Sequence, residues 1–145
     1  MIEIKRFTFS DKEQLLHSNS IRTKVFIDEQ KVEREIEYEF EEEGNFFLLY
    51  FDGLPIATAR WRETSTGIKL ERFAMLKEYR NKGIGSKLLK AVLEDVVPLN
   101  KTIYLHSQVN AKNYYERAGF VIEGDIFMEA NIEHYLMKYD SSKSV

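Results

Sequence analysis

The chain has 145 residues, of which 43% are apolar, and this length and composition are typical of one globular domain with a sizeable core. It contains no cysteine, which excludes disulfides, thiolate metal ligands and a cysteine nucleophile. The net charge of −3 provides no broad basic face for nucleic acid, and no apolar run approaches the roughly 20 residues that cross a membrane. We expect one domain over residues 1–140, a frayed tail at 141–145 and, because the first residues lack the apolar core of a signal peptide, a cytoplasmic location.

The charge of the chain is unevenly distributed. Residues 28–43 contain nine acidic and two basic side chains, a net charge of −7, so the rest of the chain carries +4. Much of that positive charge lies in residues 77–90. The separation favours a small anionic ligand at the basic segment and a cationic one near the acidic segment, although an acidic run is most often a solvated surface.

The first half of the chain predicts a strand, a helix and then a pair of strands. Residues 1–9 have the alternation of a strand, and Ser10 or Asp11 is a suitable N-cap for the helix that follows. That helix is expected to turn five apolar side chains toward the core, namely Leu15, Leu16, Ile21, Val25 and Phe26. Residues 29–43 predict an irregular or short helical segment. Residues 45–51 and 55–63 are two strands joined by the hairpin signal Asp52-Gly53.

The second half of the chain alternates strands with helices. After a turn at residues 65–67, residues 70–76 have the period of a strand, and the apolar residues after Gly85 recur at helical spacing. Residues 102–107 predict a strand, residues 110–118 a helix that Gly119 ends, and residues 120–122 a short strand. A loop or hairpin over 125–131 and a last strand over 134–139 complete the prediction.

The join between the strand at 70–76 and its helix carries the first chemical signal. Residues 80–86 read RNKGIGS, a basic turn with two glycines at the start of the helix. The first amides of a helix have no partner within it and carry the positive end of its dipole. Glycines let those amides approach a ligand closely, so this turn is suited to holding a phosphate group.

Two familiar phosphate-binding motifs do not fit this turn. A Walker loop needs four residues between its first glycine and Gly-Lys-Ser/Thr, and the chain contains no such string. A dinucleotide fingerprint requires a third glycine where Leu88 stands. The remaining pattern is Arg-x-x-Gly-x-Gly between a strand and a helix.

That pattern resembles the acyl-coenzyme A signature of the GNAT acyltransferase superfamily. Residues 109–120, VNAKNYYERAGF, are similar to the family's second strong segment, an Asn-x-x-Ala-like helix with a tyrosine ahead of Gly-Phe. Residues 22–32, RTKVFIDEQKV, and 132–137, IEHYLM, resemble the ElaA-like branch of that family. The resemblance extends from residue 2 to residue 139.

The resemblance implies an α/β fold with a mixed, mainly antiparallel, twisted sheet and helices on both faces. It implies acetyl-coenzyme A as the cofactor, with its pantetheine arm in a splay between the fourth and fifth strands. Backbone amides at residues 73–75 would pair with that arm and polarise the thioester carbonyl. The cofactor contacts implied are Phe73, Ala74, Met75, Arg80, Asn81, Lys82, Gly83, Ile84, Gly85, Ser86, Asn110 and Asn113.

Catalytic roles follow from the same resemblance. The tyrosine matching Tyr115 often protonates the departing thiolate, and a phenol can do so given a hydrogen bond; the alternative is that Tyr115, like Tyr114, only packs. Glu71 lies on the strand that lines the reaction centre and is a candidate base, with a surface ion pair as an equal alternative. Contacts to the acceptor are expected from Arg22, Glu29, Gln30, Arg72, Gln108 and His134. Glu29 has a similar claim to the role of base, and His134 is a candidate base or substrate ligand, although a lone histidine beside a strand is more often structural. His17 and His106 are taken as structural, and no pair of histidines has the spacing of a metal site.

The predicted function is therefore transfer of an acetyl group from acetyl-coenzyme A to an amine by direct attack in a ternary complex. The acceptor is a small molecule or a peptide, with no nucleic acid or membrane involved, and a homodimer is left open. The competing hypothesis is a non-catalytic domain that binds or senses acyl-coenzyme A. Such a domain would keep the turn at residues 80–85 and would need neither Tyr115 nor Glu71.

Overall fold

A computed structural model describes residues 1–32 and 39–143, and these contain seven strands and three α-helices. The strands are β1 (Ile2–Thr8), β2 (Asn45–Phe51), β3 (Leu54–Thr64), β4 (Gly67–Met75), β5 (Ile103–Gln108), β6 (Phe120–Glu129) and β7 (Ile132–Tyr139). The helices are α1 (Lys12–Arg22), which continues as a π-helix over Thr23–Glu29, α2 (Gly85–Val96) and α3 (Lys112–Ala118). Short 3₁₀ turns cover Glu41–Glu43, Lys77–Tyr79, Val97–Leu99, Val109–Ala111 and Ser141–Lys143.

All seven strands form one sheet in the order β1-β2-β3-β4-β5-β7-β6. Every neighbouring pair is antiparallel except β4 and β5, which are parallel. The predicted fold class, a mixed and mainly antiparallel sheet, is thus confirmed. The parallel pairing is short, because only Ile68–Leu70 of β4 meets Ile103–Leu105 of β5. Beyond that point the two strands continue without pairing to each other, which leaves an opening in the middle of the sheet.

The helices pack on both faces of the sheet because each has one apolar side. The buried stripe of α2 consists of Leu88, Leu89, Ala91, Val92 and Val96, at the spacing predicted from the sequence. It joins the larger core with α3 and residues of β2 to β5. On the opposite face, α1 and its π-helical extension pack over β2, β3 and β4 around a second core.

One residue of α1 departs from the sequence prediction. Asp11 caps the helix by accepting a hydrogen bond from the backbone N–H of Gln14, and Leu15 is buried as expected. Leu16, however, is 70% exposed. Adjacent helical residues point about 100° apart, and the side of α1 that carries Leu15 is the one packed on the sheet, so Leu16 lies in solvent.

The end of the chain also differs from the prediction. The strand predicted to be short at residues 120–122 extends to Glu129, where the sequence had indicated a loop or hairpin from residue 125. A register shift between Glu123 and Phe127, with Gly124 at φ +83°, lets the strand bend without ending. The reversal is confined to Ala130 and Asn131, both with positive φ. None of the helices in the described ranges is both long and apolar enough to span a membrane.

Candidate active site

A groove of about 1430 Å³ begins at the opening between β4 and β5 and runs along the glycine turn, α3 and the β6–β7 hairpin. One wall of the groove consists of side chains on the α1 side of the sheet. These side chains lie together because directly paired residues of neighbouring strands project to the same face. Gln108 of β5 pairs with His134 of β7, and His134 pairs with Phe127 of β6. Polar side chains from four strands therefore share one wall of the groove, namely Lys69, Glu71, His106, Gln108, Glu129 and His134.

The glycine turn forms one end of the groove. Asn81 and Gly83 have φ of +62° and +76°, and a Cβ at Gly83 would meet no atom within 4 Å, so the turn is open on that side. Helix α2 begins at Gly85, and Ser86 donates a hydrogen bond to the Gly83 carbonyl at 3.0 Å. Two of the predicted cofactor contacts have side chains that point away from the groove. The Ile84 side chain is buried in the core and the Lys82 side chain is exposed, so these residues contribute only their backbone to the turn.

Tyr114 fixes this turn to α3. Its hydroxyl donates a hydrogen bond to the Gly85 carbonyl at 2.6 Å. A Cβ on Gly85 would lie 3.3 Å from the Tyr114 ring, which is tighter than ordinary van der Waals contact. Tyr114, predicted only to pack, therefore also holds the first residue of α2. Burial raises the pKa of this phenol well above its ordinary value, so it remains a neutral donor.

Arg80 reaches from the turn to two partners. Its Nε donates to the Met75 carbonyl at 2.8 Å, and its two terminal nitrogens bind the Glu29 carboxylate at 3.1 and 2.9 Å. Glu29 was predicted to face the acceptor, yet here it contacts the arginine expected to face the cofactor's phosphates. A carboxylate thus occupies the fork of the arginine in the way that a phosphate oxygen pair could.

Strand β4 is irregular where it borders the opening. The register against β3 shifts between Thr58 and Arg60, and Arg72 in the bulge has φ of +58°. A residue other than glycine rarely adopts that conformation, so the bulge is held by its surroundings. Beyond Leu70, the edge of β4 that faces β5 is not paired with it, and this edge includes the predicted contacts Phe73, Ala74 and Met75.

Tyr115 lies where the groove meets α3. Its ring makes edge contacts with Phe73, Tyr114 and Phe120, with centroids 5.8, 4.8 and 6.0 Å away. Burial raises the pKa of this phenol, and its hydroxyl has no hydrogen-bond partner among the residues that the structure describes. The hydroxyl is thus a neutral donor with unused capacity. Of the two predicted asparagine contacts, Asn110 lines the groove, whereas Asn113 is exposed on α3.

Glu71 is buried inside a group of cations. Arg60 binds it through Nε at 2.7 Å and through a second, shorter ion pair, and Arg62 binds it through Nε at 2.9 Å. Lys69 lies 3.7 Å from its other oxygen. Burial alone would raise the pKa of Glu71, but the guanidinium groups of Arg60, Arg72 and Arg62 outweigh it and lower that pKa. The bound guanidinium groups and the lowered pKa both make Glu71 a weak proton acceptor.

Arg22, predicted to contact the acceptor, lies deeper. It is 1% exposed and binds both oxygens of Glu41 at 3.1 Å, and Glu41 also contacts Arg60. Arg72 lines the groove. Glu41 of the acidic run is thus bound by internal arginines, while residues 33–38 of that run lie outside the described residues.

Gln30 and Gln108 form a bridge over the groove. Each amide donates to the other, at 3.2 and 2.8 Å, although the residues are 78 positions apart. The bridge links the end of the π-helical segment to the end of β5. Both were predicted as acceptor contacts, and the structure brings them together at the groove wall beside His134.

Two residues that sequence reasoning left out also lie here. His106, taken as structural, donates from Nδ1 to Glu129 at 3.0 Å, because a carboxylate can only accept. Glu129 in turn lies 3.8 Å from Nε2 of His134. The hydrogen bond from His106 lowers the pKa of Glu129 to about 2, and the charges of Lys69 and His134 act in the same direction. No spacing rule identifies this cluster, because it depends on β7 lying between β5 and β6.

Comparison with known proteins gives consistent results. The family model described as an acetyltransferase (GNAT) domain matches residues 8–141. The uncharacterized N-acetyltransferase YjcF of Bacillus subtilis is 31% identical, over 94% of this chain and 100% of its own. Among solved structures, Escherichia coli ElaA is similar with a TM-score of 0.85 and 22% identity, over 95% of this chain and 99% of its own. The PaiA N-acetyltransferase of Thermoplasma acidophilum, solved in complex with coenzyme A, has a TM-score of 0.65 and 16% identity, over 96% and 98% of the two chains.

Proposed function

This chain belongs to the GNAT acetyltransferase family, and from that premise we propose that it transfers an acetyl group from acetyl-coenzyme A to an amine by direct attack. The family uses acetyl-coenzyme A and acts on amine acceptors. The acceptor is a small molecule or a peptide. A cytoplasmic location and a homodimer stay predictions from the sequence.

The observation that carries the proposal is the continuous groove from the glycine turn, past the unpaired edge of β4, to the hydroxyl of Tyr115. The turn offers helix-terminal amides and Arg80 to a pyrophosphate. The β4 edge offers backbone groups to a pantetheine arm. A neighbour of the same fold was solved with coenzyme A, which supports this choice of ligand.

In the proposed reaction the acetyl donor supplies the thioester, and the acceptor nitrogen bonds to its carbonyl carbon while the carbon–sulfur bond breaks. Backbone amides of residues 73–75 stabilise the negative charge on the carbonyl oxygen. The Tyr115 hydroxyl gives its proton to the departing sulfur, and the proton lost by the acylated nitrogen restores the phenol, directly or through water. No cysteine exists to form an acyl-enzyme.

We propose a supporting role for Glu71 in place of the role of base. Arg60 and Arg62 both bind its Oε2, Lys69 lies near its Oε1, and its lowered pKa makes it a weak proton acceptor. Glu71 would then keep the guanidinium groups ordered beside the reaction centre. A preference for cationic acceptors, expected from the acidic run, loses support from Glu29 and Glu71, since both carboxylates are bound by arginines of the chain itself.

Two measurements test the proposal. Calorimetry should show binding of acetyl-coenzyme A, and a panel of amines, scored by release of free thiol, should contain acceptors whose thiol release exceeds the rate of hydrolysis without amine. Binding with no release above hydrolysis for any amine would instead support the alternative, a domain that binds or senses acyl-coenzyme A. Absence of binding would contradict both.

A further inference from the structure

The acetyl transfer proposed above needs a base, because an amine reaches the site as an ammonium ion and must lose a proton before it attacks. Neither acid predicted for that task is well placed for it. Glu29 lies against Arg80 at the glycine turn, which is the phosphate end of the groove, and Oε2 of Glu71 is bound by Arg60 and Arg62. The groove wall on β5, β6 and β7 provides a different candidate.

His134 is oriented by its surroundings. It is 6% exposed, its ring stacks on Phe127 with centroids 5.9 Å apart, and its Nδ1 lies 2.7 Å from the Ile132 carbonyl. A carbonyl oxygen only accepts, so Nδ1 carries the proton in the neutral ring. The lone pair is therefore on Nε2.

The carboxylate of Glu129 lies beside Nε2 of His134. Its Oε2 lies 3.8 Å from Nε2 of His134, while its Oε1 accepts from Nδ1 of His106 at 3.0 Å. Lys69 of β4 is the further charge acting on Glu129 from another strand of the sheet, and Lys69 itself lies 3.7 Å from Glu71. The carboxylate is thus fixed by one histidine and placed to stabilise positive charge on the other.

We propose that His134 is the catalytic base that takes the proton from the acceptor ammonium, and that Glu129 and His106 are positioning residues for it. The proton moves from the ammonium to Nε2 and leaves an amine whose lone pair attacks the thioester. The imidazolium is stabilised by Glu129 until it releases the proton to solvent. The second nitrogen proton follows the separate route through Tyr115 to the sulfur, so one proton and one thiol are produced for each amide formed.

The first test measures the arrangement without catalysis. In the ¹⁵N-labelled full chain, long-range ¹H–¹⁵N spectra should show Nδ1 of His134 protonated and Nε2 unprotonated in the neutral ring. Glu129→Gln should change the Nε2 resonance of His134, because it removes the charge 3.8 Å from that nitrogen. The exposed His17 is the internal control, and its resonances should not change. An unchanged Nε2 resonance of His134 in Glu129→Gln, or a proton on Nε2 in the neutral ring, would overturn the proposal.

The second test uses two small amines with acetyl-coenzyme A. Methylamine is an ammonium ion at neutral pH, whereas hydroxylamine is neutral. The variant His134→Gln should lose about 100-fold or more of kcat/KM with methylamine, as expected for removal of a base, and stay close to the wild-type value with hydroxylamine. Glu129→Gln should lower kcat/KM with methylamine more than with hydroxylamine, and the matched variant His17→Gln should match wild type.

Equal losses of His134→Gln with both amines would assign His134 a structural role and overturn the inference. Failure of the proposed function would give a different result. Wild type would then bind acetyl-coenzyme A but acetylate neither these two amines nor any member of the panel. In that case there would be no reaction that needs a base. The spectra report the arrangement of the three side chains in either case.

Discussion

At the scale of single residues, the site depends on which groups are already engaged within the chain. Tyr115 has a neutral hydroxyl without a partner among the described residues, in contrast to Tyr114, whose hydroxyl binds Gly85. Glu29 and Arg80 form an ion pair with each other. A side chain that is already bound within the chain supports the site, whereas a group with unused hydrogen-bonding capacity can act on the substrate.

The change Tyr115→Phe removes one hydroxyl and keeps the ring among Phe73 and Phe120. Turnover should fall by roughly 10² to 10⁴, the range for loss of a general acid, while the affinity for acetyl-coenzyme A stays the same. Thiol release and calorimetry measure the two quantities. Tyr114→Phe is the matched control, because it should alter cofactor affinity through the turn and leave the proton donor in place. Equal turnover in Tyr115→Phe and wild type would return Tyr115 to a packing role.

The change Glu29→Gln should strengthen binding of acetyl-coenzyme A. The carboxylate competes with the pyrophosphate for Arg80, and an exposed ion pair of this kind contributes up to about 1 kcal/mol, which is a gain of roughly 2- to 5-fold in affinity. The control Glu78→Gln removes an equal charge from an exposed residue next to the same turn, outside the Arg80 contact. Weaker binding in Glu29→Gln, or an equal gain in both variants, would argue against competition.

At the scale of elements, the glycine turn and α3 behave as one unit. The turn supplies the amides, and Tyr114 of α3 holds the first residue of α2. The bulge of β4 and the short pairing of β4 with β5 keep the adjacent edge open. The groove therefore results from three junctions: the turn with α3, β3 with β4, and β4 with β5. Regular pairing or packing is interrupted at each of them.

Gly85→Glu tests this unit, because it adds volume against the Tyr114 ring and negative charge at the helix N-terminus. Binding of acetyl-coenzyme A should be abolished in the folded variant. Gly85→Gln has the same size without the charge and should retain weak binding. Calorimetry on proteins with wild-type circular dichroism decides the matter, and unchanged affinity in Gly85→Glu would place the phosphates elsewhere.

At the scale of the whole molecule, a buried ionic network crosses the sheet face beneath α1. Arg60 is fully buried, Arg22 is 1% exposed, and both depend on Glu41, while Arg60 also depends on Glu71. Removing one member leaves a buried charge without its partner, which is costlier than removing an exposed pair. The network thus couples the stability of the fold to the polar wall of the groove.

Glu71→Gln should lower the free energy of unfolding by about 3–5 kcal/mol, because the buried Arg60 loses the nearer of its two carboxylate partners. The pKa of Glu71 is lowered in the fold, so its contribution is fully present above the unfolded value, near 4.5, and is lost as pH falls through the folded value. Urea unfolding at pH 7 and at acidic pH should therefore show a smaller difference between the two proteins in acid. A variant of wild-type stability with low turnover would instead return Glu71 to the role of base.

The sequence by itself determined the local elements, the glycine turn and the family. Periodicity located seven strands and three helices, and the motifs around Gly85 and Tyr115 identified the acyltransferase class, because these signals lie within short segments. Tertiary structure alone decided the rest. That β7 lies between β5 and β6, and so brings His106, Glu129 and His134 together, depends on pairing between distant segments. That Glu29 binds Arg80 and Leu16 faces solvent depends likewise on how α1 crosses the sheet, which no local period of residues encodes.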